Sequence, residues 1–229
     1  MNLIKEKWTK EDIKEFNNYL ISKRNKEKIN WTKNIVNTNK QVLAIKTKEL
    51  KEIAKQIYKC NYLSFLDYMT FDIYETSIIY ASLIVRIKNF KLLKKYLDIY
   101  SNNIDNWSSC DTLKFNIKNN IVDYKKLVNE YIKSSKTFKR RIGIIILFEF
   151  IKQKEIIFIF DIINKLKQEQ EYYVNMAIAW LLCECFIKEQ NKTIEFLNNN
   201  EINIFVKNKL FQKCRDSYRI DNNDLLKIK

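Results

Sequence analysis

Apolar residues recur at steps of three and four along most of this chain. The stretch "TKELKEIAKQIYK" sets the pattern: Leu50, Ile53, Ala54 and Ile57 share one helical face and lysines occupy the other. Thr47 is the expected N-cap of that helix, with basic residues toward its far end. "FKLLKKYLDIY" and "YKKLVNEYIKS" carry the same stripe. On this reading helices are expected over 9–24, 31–38, 46–59, 72–87, 89–100, 108–119, 122–133, 138–152, 154–168, 171–188, 191–198, 202–217 and 221–227. Asn-rich breaks such as "SNNIDN" and "NNN" separate them.

Three stretches, "RIGIIILFEFI", "EIIFIFDII" and "MAIAWLLCECFI", are apolar almost all round and alternate with more polar helices. That alternation suits antiparallel helix pairs, each buried by its neighbours. The expected fold is all-α: a HEAT-like helical-repeat solenoid, a curved array of antiparallel helix pairs with a unit of roughly 35–40 residues. Residues 1–229 are expected to form one such domain, with 1–30 as an N-terminal helix. An irregular helical bundle is the structural alternative. One glycine, Gly143, and no proline leave an all-β chain without its turn residues.

Composition narrows the chemistry. With no histidine, a Ser-His-Asp triad, a Cys-His pair and histidine-ligated metals are excluded. The five cysteines, Cys60, Cys110, Cys183, Cys185 and Cys214, form no C-x-x-C and read as buried free thiols in a reducing compartment. No metal and no organic cofactor is expected. The opening "MNLIKEKWTKEDIKEF" lacks the apolar run of a signal peptide. "RIGIIILFEFI" and "YYVNMAIAWLLCECFI" are too short for a bilayer and carry Glu149, Asn175 and Glu184, so a soluble, cytoplasmic protein with no membrane partner is expected. A net charge of +15 and a pI near 9.4 favour a polyanionic partner, although Lys- and Asn-rich composition alone produces such a balance.

Two local patterns carry candidate chemistry. Lys139, Arg140 and Arg141 open an apolar helix, where cations oppose the helix dipole and an anionic partner would offset that cost. In "NIDNWSSCDTLKF", Trp107 precedes Asp111 by four residues, which places indole and carboxylate on one helical face. Taken alone, Trp107 also reads as a core or groove aromatic, Asp111 as a surface or capping acid, and Trp180 as a core residue.

The segments "VLAIKTKELKEIAKQI", "IDNWSSCDT", "FKRRIGIIILFEFI", "YYVNMAIAWLLCECFIKE" and "FVKNKLFQKCRDSYRI" add a resemblance. From about Trp31 to Arg219 the chain resembles the AlkD-like DNA alkylation repair family, HEAT-like-repeat DNA glycosylases. The resemblance implies a monomeric enzyme that excises cationic N-alkylated purines, such as 3-methyladenine and 7-methylguanine, from double-stranded DNA on a basic concave face. It assigns the family's tryptophan–aspartate pair to Trp107 and Asp111, its second tryptophan to Trp180 and its arginine to Arg141. Arg140 stands as the neighbouring choice and Lys139 beside it as a further DNA contact. Asn106 stands where active members often carry another tryptophan, and Met176 and Cys183 where they tend to be basic, which marks a divergent branch. A catalytically silent relative that binds damaged or branched DNA is the first alternative, and a HEAT-like scaffold for another protein the second.

Overall fold

The computed structural model describes residues 1–228. Every regular element among them is a helix, and the β-type pairing comes down to an isolated parallel bridge between Gln41 and Ile73. The chain divides into two compact units, Met1–Lys114 and Phe115–Lys229. The fold is an all-α helical-repeat array, as the hydrophobic pattern predicts.

The first unit holds α1 (Lys10–Ser22), α2 (Ile29–Val36), α3 (Thr47–Tyr58), α4 (Tyr62–Tyr68), α5 (Tyr74–Ile84), α6 (Phe90–Asn103) and α7 (Trp107–Thr112). Its centre is α5, which buries ten of its eleven residues. Helices α3, α6 and α7 pack against it. A helix covered on all sides has no need of an amphipathic stripe, whereas α3 and α6 keep lysines outward and Leu50, Ile53, Leu93 and Leu97 inward. The N-terminal stripe closes the unit from another side. Trp8, Ile13, Phe16 and Leu20 are buried, and the Trp8 ring meets Phe65 edge-on at 4.9 Å.

The second unit holds α8 (Ile121–Tyr131), α9 (Thr137–Lys152), α10 (Ile156–Lys165), α11 (Tyr172–Lys188), α12 (Gln190–Asn199), α13 (Ile204–Arg215) and α14 (Asn222–Leu226). Here α9 and α11 form the apolar centre, covered by α8, α10, α12 and α13. Short connections join the helices, and α9 packs on both α8 and α10 while α11 packs on both α12 and α13.

The structure departs from the sequence reading at four places. Helix α4 was not expected. It is only seven residues long, and it exists because Ser64, Phe65 and Leu66 are buried and Asn61 caps Ser64 N. The expected helix 108–119 stops at Thr112, and Leu113 turns to extended backbone at φ −66°, ψ 122°. Beyond it Leu113, Phe115 and Ile117 are buried while Lys114, Asn116 and Lys118 are exposed, a two-residue alternation that only extended chain can satisfy. Thr47 is the first helical residue of α3, and Lys46 takes the cap position without a side-chain bond. Helix α6 runs on through the "SNN" break, where Ser101 is buried and Asn103 Nδ2 donates to the Ile99 carbonyl at 2.8 Å.

Scarce glycine and absent proline shape the helix ends. Side chains of Thr9, Asn61, Asn89, Asn106, Asn203 and Asp221 cap backbone N–H groups. Asn37, Ala44 and Lys154 take the left-handed positions that glycine would normally fill. The one glycine sits inside α9 instead, where it costs helix stability. A Cβ on Gly143 would meet Ile132 Cγ2 at 3.2 Å and Tyr131 Cβ at 3.4 Å, so its absence lets α9 lie close to the end of α8. Gly143→Leu should lower unfolding free energy by about 2 kcal/mol in a urea titration, through overpacking. Gly143→Ala should change it by less than about 1 kcal/mol, because gained helix propensity offsets the tighter contact. Full tolerance of leucine would contradict this account of the close approach.

Candidate functional site

Helix α7 begins where Ile104 leaves helical backbone, and buried Asn106 caps it by accepting from Ser109 N at 2.9 Å. Six residues rarely hold a helix alone, since nucleation consumes most of the turn's bonds. Helix α7 is held by hydroxyls instead. Tyr74 Oη and Ser108 Oγ lie 2.7 Å apart, as do Ser77 Oγ and Ser109 Oγ, and Tyr100 Oη donates to the Ser109 carbonyl at 2.9 Å. Burial pushes the Tyr74 and Tyr100 hydroxyls above their ordinary pKa, so both stay protonated and able to donate.

On this helix Trp107 and Asp111 lie one turn apart, both half-buried. The Trp107 indole Nε1 donates to the Ile35 carbonyl at the end of α2, 3.1 Å away. That bond ties the indole to the end of α2. Just before α7, Asp105 accepts from Thr38 Oγ1 at 2.7 Å, from Asn39 N at 2.9 Å and from Asn106 Nδ2 at 3.1 Å. Burial alone would raise its pKa. The hydrogen bonds and the Lys40 charge outweigh burial and hold the carboxyl below its ordinary value of 3.8. Asp105 therefore ties the α2 end to the start of α7 as a charged group.

Lys139, Arg140 and Arg141 lie near the start of α9, and each is engaged within the second unit. Lys139 Nζ sits 4.6 Å from the Tyr131 ring centroid. Arg140 makes a two-pronged pair with Glu169, Nε to Oε2 at 2.6 Å and Nη2 to Oε1 at 3.0 Å, while its Nη1 donates to the Ser134 and Ser135 carbonyls. Arg141 is 5% exposed and donates to the Tyr173 carbonyl at the start of α11. Trp180, half-buried on α11, packs on Phe148 of α9 with ring centroids 4.4 Å apart. Thus α9 and α11 bring the three basic residues and Trp180 onto one packed helix pair, with the cations at its start.

Glu169 is the partner that the sequence reading missed. One acid among the many polar residues of "KLKQEQEYY" gives no signal of its own. Its carboxylate also accepts from Gln170 N and Glu171 N, and its carbonyl accepts from Asn175 Nδ2 and Asn203 Nδ2. Burial raises its pKa, but the Arg140 and backbone bonds prevail and set it below 4.5. A carboxyl whose pKa folding lowers adds stability that is complete above its unfolded value and lost as pH falls through the folded one. Glu169→Gln should cost about 3 kcal/mol at pH 7, since it leaves a buried guanidinium without its counter-charge. That deficit, read from urea unfolding, should shrink as the pH drops below 4.5. A pH-independent deficit would show that packing, not charge, carries the interaction.

Among the described residues no group of three or more His, Cys, Asp or Glu side chains is placed to hold a metal ion. No helix among the described residues is long and apolar enough to cross a membrane. All five cysteines are free thiols, four of them buried and Cys60 half-buried.

Comparison with known proteins adds the last finding. A search of curated proteins gives no significant match. A family model described as DNA alkylation repair enzyme matches residues 16–207, a span that contains Trp107, Asp111, Lys139, Arg140, Arg141 and Trp180. With most of its length matched, the chain belongs to the DNA alkylation repair enzyme family.

Proposed function

We propose that the protein is a DNA glycosylase that releases cationic N-alkylated purines, of the 3-methyladenine and 7-methylguanine type, from duplex DNA. The observation that carries this reading is the Trp107–Asp111 pair on one short helix, held rigid by buried hydroxyls, within a chain of this family.

An alkylated purine already bears positive charge, so its glycosidic bond breaks without strong acid catalysis. This suits a protein with no histidine. As the bond lengthens, positive charge moves onto the sugar. A carboxylate at that carbon stabilises the developing oxocarbenium ion and orients the incoming water, roles assigned here to Asp111. The face of Trp107 attracts the cationic base or sugar edge, worth roughly 0.5–2 kcal/mol for a good contact. Its indole N–H is already satisfied by Ile35, so the ring needs no other polar partner.

In the second unit Trp180 is assigned the second indole. Arg141 keeps the phosphate beside the lesion on the resemblance alone, while Arg140 is paired with Glu169. Arg141 is 5% exposed and donates to the Tyr173 carbonyl, so its guanidinium has to turn outward to meet DNA. Arg140 then acts as a positioning residue, setting the start of α9 on which Lys139 and Arg141 stand. The net charge of +15 supports a polyanionic substrate. On this reading the protein acts as a HEAT-like helical-repeat monomer on double-stranded DNA and needs no cofactor.

Single-turnover incubation of wild type and Asp111→Asn with methylated duplex DNA tests the assignment. Wild type should release methylated purine faster than the heat-depurination control. The amide should lose at least about 100-fold, the scale on which removal of one preorganised electrostatic group is felt. Duplex binding without release would instead favour the silent DNA-binding relative.

A further inference from the structure

Helix α2 is an oddity of the first unit: eight residues long, it buries only Val36. Trp31 and Ile35, one turn apart, are 66% and 45% exposed. The other three tryptophans of the chain are buried or half-buried, so solvent exposure of an indole here is a local choice. Solvation alone would favour a polar residue at such a site.

Two observations say what covers this face. The first is charge. Arg24, Lys26 and Lys28 are exposed on the segment that leads into α2, Lys33 is exposed on the helix itself, and Glu27 is the only acid between residues 24 and 35. Two apolar side chains within a basic surround are too little for a stable protein interface, which needs roughly 800 Å² from each partner. They match a nucleic acid, with phosphates for the cations and a base face for the indole. The second is continuity with the candidate site. The Ile35 carbonyl holds the Trp107 indole, and Thr38 and Asn39 just beyond α2 hold Asp105. Helix α2 and helix α7 are therefore tied at the α2 C-terminus, and a load on Trp31 is borne by the element that carries Asp111.

We infer that α2 is a wedge helix: Trp31, backed by Ile35, presses against a base step that an alkylated or otherwise weakened pair has loosened, while Lys26, Lys28 and Lys33 hold the phosphates. The inference rests on the glycosylase reading for its partner and extends it by naming how a distorted site is distinguished from intact duplex. An indole gains stacking area only where a base is partly unstacked, so the contact favours distorted over regular DNA. The lysines contribute equally to both.

The test is an anisotropy titration of labelled duplexes, one intact and one with a tetrahydrofuran abasic analogue, against wild type, Trp31→Ala, Trp31→Phe and Lys33→Gln. Acrylamide quenching of the tryptophans, with and without DNA, runs in parallel. Trp31→Ala should weaken binding to the distorted duplex about tenfold, change intact duplex little and leave the salt slope unchanged. Trp31→Phe should keep most of the preference. Lys33→Gln should weaken both duplexes and flatten the salt slope by about one. DNA should protect the most quenchable tryptophan in wild type and have no such effect in Trp31→Phe. If Trp31→Ala binds both duplexes as wild type does and releases methylated base at the wild-type rate, the wedge is overturned while the Asp111 assignment stands. If wild type binds no duplex, both fall.

Discussion

A loop without glycine or proline has to be held by something else, and in each unit of this protein a buried carboxylate does it. In the first unit fully buried Glu75 accepts from Leu43 N at 3.1 Å and from Ala44 N at 2.7 Å. Those bonds hold Ala44 at φ 58°, a conformation that costs an L-residue roughly 1–2 kcal/mol. In the second unit Glu169 gathers Gln170 N, Glu171 N and the Arg140 guanidinium, and its carbonyl receives two asparagine side chains from α11 and from just before α13. The two anions differ in pKa for a physical reason. Glu75 has backbone donors alone, so burial wins and raises it, whereas Glu169 has an adjacent cation and is lowered.

These clamps set the places where the candidate residues stand. Glu75 belongs to α5, the same helix whose Tyr74 and Ser77 hydroxyls hold α7 against it. One buried helix thus organises both the 41–45 loop and the short helix of Trp107 and Asp111. Glu169 does the corresponding work for α9, fixing Arg140 at its start. Both devices are polar and lie in poorly solvated surroundings, where a satisfied network is worth more than its bonds would be in water and a broken one costs more. The site helix itself is only six residues long, and its rigidity comes from these neighbours, not from its own backbone.

Most of the helical architecture was legible because burial writes itself into the 3.6-residue period. Of the three stretches read as apolar almost all round, α9 and α11 proved central, while α10 covers α9 and leaves Ile157 exposed. Helix α5, not singled out in the sequence, is the centre of the first unit. Where reading failed, tertiary contacts or a different period were responsible. "YLSFLDY" is helical because Trp8 from far upstream packs on Phe65, which no local pattern announces. "LKFNIK" carries a plain two-residue alternation that the helical template overran. The spacing of Trp107 and Asp111 survived because four residues mean one turn in any α-helix. The arginine pair was legible as a cluster, but its ion-pair partner lies 29 positions on and had no signature.

A family of DNA alkylation repair enzymes, a helix-borne indole and carboxylate, and a basic chain without histidine all support the proposed chemistry, which asks little of the protein because the lesion supplies the charge. The measurement that tests this most directly compares two lesions in the same duplex under single-turnover conditions: 7-methylguanine, which is cationic, and hypoxanthine, which is neutral. The account predicts enzyme-dependent release of 7-methylguanine and no release of hypoxanthine, since only the cation arrives with its glycosidic bond weakened. Equal release of both, or release of neither above spontaneous depurination, would contradict it.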